Sequence, residues 1–113
     1  MKVLLEWDDV SPDRPDNNGQ TPLFIAAQCV QEGVVRVLLE RDDVDPDKPD
    51  NRGLTPLCGA AQGGHEEVVK MLLERDGVIP DKPDNDGRTP LWWATLHGHV
   101  EVVALLQTRA LQM

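Results

Sequence analysis

Two cysteines and three histidines are the residues best equipped for chemistry: Cys29, Cys58, His65, His97 and His99. Thiolate and imidazole groups at suitable spacing make either a zinc site or a nucleophile–base pair. Structural zinc sites prefer close pairs such as C-x2–4-C, and the chain has no such pair. Cysteine nucleophiles need a base and an orienting group in a water-shielded cleft. Asp84-Asn85-Asp86-Gly87 resembles part of a calcium loop. With Gly87 at the sixth position of that loop, Lys82 stands at the first and Trp93 at the twelfth, where oxygen ligands are required. A turn is therefore the better reading, with loose, unspecific calcium binding by acidic loops the most it allows. No metal, cofactor or enzymatic activity is expected.

Composition narrows the classes further. The 113 residues carry a formal charge of −9, with 11 Lys and Arg against 20 Asp and Glu. Nucleic-acid binding needs clustered cations to neutralise phosphates, and anionic membrane surfaces make the same demand. Neither is an expected partner. No apolar run approaches the ~20 residues of a membrane span, and Met1-Lys2-Val3-Leu4-Leu5-Glu6-Trp7 does not read as a signal peptide. Two cysteines are too few for a disulfide framework, which fits an intracellular, cytoplasmic setting. Tyr is absent and Phe24 is the only phenylalanine, so the core must come from Leu, Val and Ala.

The elements that position these residues recur. Asp16-Asn17-Asn18-Gly19-Gln20-Thr21-Pro22-Leu23 returns as Asp50-Asn51-Arg52-Gly53-Leu54-Thr55-Pro56-Leu57, and again as Asp84-Asn85-Asp86-Gly87-Arg88-Thr89-Pro90-Leu91. Residues 16–49 align with 50–83 without a gap, identical at about 22 of 34 positions by direct count. Units of this size cannot bury their apolar faces alone and must stack into an elongated core.

In the middle unit, Asp50 to Gly53 is turn chemistry, Gly53 supplying a positive φ. Thr55-Pro56 starts a helix, with a Thr cap and Pro at the first position. Leu57, Ala60 and Ala61 share its buried face, and Gly63-Gly64 ends it. His65-Glu66-Glu67 opens a second helix, with acids at its positive end. Val68, Val69, Met71, Leu72 and Leu73 make an apolar stripe broad enough to be covered on more than one side, and Arg75 complements the helix dipole. Pro80 and Pro83 then stop the helix and stiffen an extended connector. In the first unit Val30 occupies the glycine position. Valine resists a left-handed backbone, so this turn is expected to be strained or reshaped.

D-x-x-G-x-T-P-L, then A-A-x-x-G-H, then V-V-x-x-L-L resembles the ankyrin repeat. Asp50, Gly53, Thr55, Pro56, Leu57, Ala60, Ala61, Gly64, His65, Val68, Val69, Leu72 and Leu73 carry the pattern. The near-identical 34-residue copies are also similar to arrays in large fungal proteins. The resemblance implies an all-α solenoid, divided as a partial repeat 1–15, repeats 16–49 and 50–83, and a C-terminal repeat 84–113. It also implies architectural roles for His65 and His99. The family's histidine after T-P-L is replaced by Phe24, Cys58 and Trp92. Met1 to Trp7 aligns with Val35 to Arg41, so the chain begins inside a second helix. Gln107 and Thr108 replace Leu and Glu as a modest polar cap. A fragment of a longer array is the expectation these ends raise.

The family binds proteins through turn residues and the exposed ends of first helices. The resemblance places these contacts at Asn18, Gln20, Gln28, Arg52, Leu54, Gln62, Asp86, Arg88, Leu96 and His97, forming one concave strip. Of the adjacent indoles, Trp92 is expected in inter-repeat core, whereas Trp93 is a candidate contact. The expected partner is a protein that is not acidic. Alternatives are end-to-end self-association through Val3, Leu4 and Leu5, or a regulatory segment of a larger signalling protein.

Overall fold

The computed structural model describes residues 14–111, with side chains through Thr108. The helix expected at Met1 to Trp7, and its apolar Val3, Leu4 and Leu5, lie outside the described residues.

Six helices and no strand occupy the described residues. They are α1 (Pro22–Gln28), α2 (Glu32–Leu39), α3 (Pro56–Gly63), α4 (Glu66–Glu74), α5 (Pro90–Leu96) and α6 (Val100–Leu111). Each first helix starts where a Thr hydroxyl accepts a backbone N–H three residues on: Thr21 from Phe24 at 3.2 Å, Thr55 from Cys58 at 3.3 Å, and Thr89 from Trp92 at 3.2 Å. The following proline loses no intrahelical bond there. The first helix of each pair turns back antiparallel into the second. α1, α3 and α5 then stack in one row, and α2, α4 and α6 in a second row. The molecule extends 38 × 24 × 23 Å.

The stacking has a compositional cause. Leu57, Ala60 and Ala61 of α3 are fully buried between α1 and α5, as are Val68, Val69 and Leu72 of α4 within its row. Alanine lets helix backbones approach closely, so leucine and valine fill what remains. Leu→Ala at such a site costs about 2–5 kcal/mol because the cavity relaxes only partly.

The tight turns between paired helices share one hydrogen bond, from the N–H of the residue after the turn to an alanine carbonyl five back: Gln31 to Ala26, His65 to Ala60 and His99 to Ala94. Gly64 sits there at φ 73 and Val30 at φ 60. Of the two expectations for Val30, strain holds and reshaping does not. The valine accepts a left-handed backbone, at a cost of about 1–2 kcal/mol, because the bond to Ala26 and the packing of α2 both require that turn.

α6 runs to Leu111, past the point at which α2 and α4 end. The earlier helices meet a proline-bearing connector, and residues 108–111 contain no proline. Gln107 and Thr108 are exposed on it.

Two side chains bind successive units in ways the sequence does not announce. Arg75, expected to serve its own helix dipole, instead donates from its guanidinium to the carbonyls of Leu39 and Arg41, closing the C-terminal end of α2 in the preceding unit. Asp47 is buried, with one carboxylate oxygen accepting the Ile79 N–H at 2.7 Å. Its other oxygen has no hydrogen-bond partner among the described residues. Burial pushes its carboxyl above the ordinary range, against the lowering effect of the Ile79 N–H and of Lys82.

Candidate functional site

The candidate site is an edge of turns. In each turn an aspartate carboxylate oxygen accepts two backbone N–H groups at 2.9 Å: Asp16 from Asn18 and Gln20, Asp50 from Arg52 and Leu54, Asp84 from Asp86 and Arg88. Such charge-assisted bonds fix the loop. The turns are also joined to each other. Asn51 N–H donates to Asn18 O and Asn85 N–H to Arg52 O, both at 3.0 Å. The Asn51 and Asn85 amides reach Asn17 O and Asn51 O at 3.2 and 3.1 Å. Both hydrogen-bond types occur at each junction, so the row of turns is stiff without any strand.

The helix ends are tied similarly. His65 Nε2 lies 2.9 Å from Gln28 O and His99 Nε2 lies 3.0 Å from Gln62 O. Carbonyl oxygens only accept, so each Nε2 carries the proton. These histidines bridge successive units, as the architectural expectation requires. Gln28 and Gln62 thus present their side chains from anchored backbones.

Asn18, Gln28, Arg52, Asp86, Arg88, Leu96 and His97 are exposed, while Gln20, Gln62 and Trp93 are half-buried. Asn18, Gln20 and Arg52 come together around an open depression of about 300 Å³, completed by Asp50 and Asn51. Arg88, Trp93 and His97 form a second group on the last unit. Leu54 departs from the expectation. It is 3 % exposed, packed with Phe24 and Cys58 beneath Trp93. Leucine in a position held by Gln20 and Arg88 elsewhere turns inward because an apolar cluster lies next to it.

The two tryptophans exchange their expected environments. Trp93 packs against the Phe24, Leu54 and Cys58 cluster, and its indole N–H donates to Asp84 Oδ2 at 3.2 Å. Trp92, expected in core, is 40 % exposed. The alignment explains this. Phe24 and Cys58 hold the equivalent position and are buried under the next unit, Phe24 against α3 at Gly59. Small and large residues alternate across the two junctions: Phe24 faces Gly59, and the smaller Cys58 lies under Trp93. Trp92 holds the same position in the third copy, and among the described residues no later unit lies over it.

Trp92 stands edge-on to Trp93, with centroids 5.1 Å apart at 85°, and Trp93 stacks on His97 at 6.2 Å and 12°. The Arg88 guanidinium carbon lies 4.6 Å from the Trp92 centroid and 5.8 Å from that of Trp93. At Asp84, burial alone would raise the carboxyl. The N–H groups of Arg88, Asp86 and Trp93 and the nearby Arg88 charge outweigh burial and hold it below the ordinary range.

The cysteines are separate in environment. Cys29 is exposed and Cys58 buried. Burial pushes the Cys58 thiol up despite hydrogen bonding with Thr55, so it stays protonated at neutral pH. Among the described residues no three His, Cys, Asp or Glu side chains gather to hold a metal ion, and no helix is long and apolar enough to cross a membrane.

Paired helices stacked in two rows beside a stiffened edge of turns define a helical repeat solenoid. The family model for ankyrin repeats, in three copies, matches residues 29–111, and the chain belongs to that family. Ankyrin repeats are non-catalytic modules that generally bind other proteins. No curated protein matches the chain.

Proposed function

We propose that the chain is a protein-interaction module that holds its partner on the concave strip of turns and first helices. One observation carries this reading: the exposed Asn18, Arg52, Asp86 and Arg88 project from turns that are hydrogen-bonded both internally and to their neighbours. A surface already rigid loses little conformational entropy on binding, so its contacts are not offset by ordering. The charge of −9 favours a basic or neutral partner, with association slowed by salt. The division into repeats 16–49 and 50–83, flanked by 1–15 and 84–113, is part of the same reading.

The test is site-resolved photocrosslinking. A photoreactive residue at Gln20, Arg52 or Arg88 should capture one partner species, and the same residue at Glu67 or Lys70 on α4 should not. Equal capture from both sets would refute the strip. Sedimentation equilibrium separates the self-associating alternative, because mass growing with concentration would make a second copy the partner.

A further inference from the structure

The Trp92–Trp93 corner already holds a cation, and that cation is the chain's own. We propose that Trp92 and Trp93 form a seat for an arginine side chain from a basic segment of the partner, a seat that Arg88 fills while the chain is free. This rests on the protein-binding reading and specifies the chemistry of its C-terminal end.

Three observations support it. The rings stand at 85° to each other, and the Arg88 guanidinium lies within reach of both, at 4.6 and 5.8 Å. A cation within about 6 Å of a ring centroid is attracted by the ring quadrupole, and indole gives the strongest such contact. Trp92 is 40 % exposed and Arg88 is exposed, so an incoming group can replace the Arg88 side chain without opening the core. The surroundings are acidic: Asp84 carries the Trp93 indole N–H on its second oxygen, and exposed Asp86 shares its turn. A chain of charge −9 thus sets the Trp93 indole against one carboxylate, with a second in the same turn.

Arg88 is held in place by its backbone more than by its side chain. Its N–H donates to Asp84 Oδ1 at 2.9 Å, and its carbonyl accepts the Asp84 N–H at 2.9 Å. Arg88→Ala therefore keeps the turn and empties the seat. The seat then has no internal competitor, so the variant should bind an external arginine more tightly.

The experiment follows the indole N–H signals of Trp92 and Trp93 by NMR. The full chain is titrated with an N-acetylated, C-amidated peptide carrying one arginine among glycines. Both signals should move, and Arg88→Ala should tighten binding by about two- to five-fold, the worth of one exposed cation–π contact. Trp92→Ala should remove the response at Trp93, with far-UV circular dichroism unchanged. A peptide with glutamine in place of arginine should shift neither signal. Unchanged or weaker binding by Arg88→Ala overturns the proposal, as does a Trp93 response that survives Trp92→Ala. Concentration-dependent association abolished by Trp92→Ala would overturn it too, making a second copy the occupant. Crosslinking from Arg52 that persists while the peptide fails would leave the strip standing without this seat.

Discussion

Gly53 and Gly87 have almost the same backbone and different neighbours, and substituting each with alanine isolates what joins the units. Their φ angles are +82° and +80°, in matching turns. Alanine pays the left-handed penalty at either place, about 1–2 kcal/mol, offset by about 0.4–1 kcal/mol from a less flexible unfolded chain. A Cβ on Gly87 meets nothing within 4 Å. A Cβ on Gly53 would lie 2.7 Å from the Asn85 backbone nitrogen, the atom that donates to Arg52 O. It must push the third turn away, losing that bond and straining the Asn85 amide bond to Asn51 O. Two such bonds are worth about 1–3 kcal/mol. Gly87→Ala should thus cost about 1 kcal/mol and Gly53→Ala about 2–4 kcal/mol, a large share of the 5–15 kcal/mol of a typical domain. Urea unfolding followed by far-UV circular dichroism reads both. Tryptophan fluorescence in a Trp7→Phe background, restricted to Trp92 and Trp93, shows whether the last unit opens separately. Equal losses in the two variants would refute the claim that contact between neighbouring turns holds the edge together.

Three further outcomes follow from single residues. Arg75→Met should cost about 1–3 kcal/mol in urea unfolding, since the carbonyls of Leu39 and Arg41 lose a charged donor; an unchanged midpoint would contradict the cap. Val30→Gly removes side-chain bulk yet should leave stability unchanged or raise it by up to about 1 kcal/mol, because relief of the φ 60 backbone offsets the added unfolded-state freedom. A midpoint lower by more than that amount would show that the valine is not strained. Asp47 has a carboxyl raised above 3.8 by burial. Its contribution to folding is full below that value and is lost as pH rises through the folded-state pKa. Asp47→Asn should therefore gain on the parent as pH rises through that window, and a gap that narrows with rising pH would contradict the sign.

What the sequence made legible was everything local. Thr55-Pro56 specifies a helix start through one hydroxyl and one missing N–H, and Asp50 with Gly53 specifies a turn through one carboxylate and one φ. What it hid were contacts between units. Leu54 shares a column with Gln20 and Arg88, and its apolar character was the available sign that it turns inward. Trp92 and Trp93 are adjacent and alike, and only the face of α5 turned toward the preceding unit decides which is covered. The Arg75 cap reaches residues 34 and 36 positions away and has no local motif. Val30 was legible as a conflict, but its resolution depended on packing that no single unit contains.

A partner held by the turns and first helices should shield their amides from exchange. Amide hydrogen exchange of the chain, alone and bound to the partner captured by crosslinking, tests it most directly. Partner binding should add protection in the turns around Arg52 and Arg88 and along α1, α3 and α5, with α2 and α4 unchanged. Protection concentrated on α2 and α4 would contradict it.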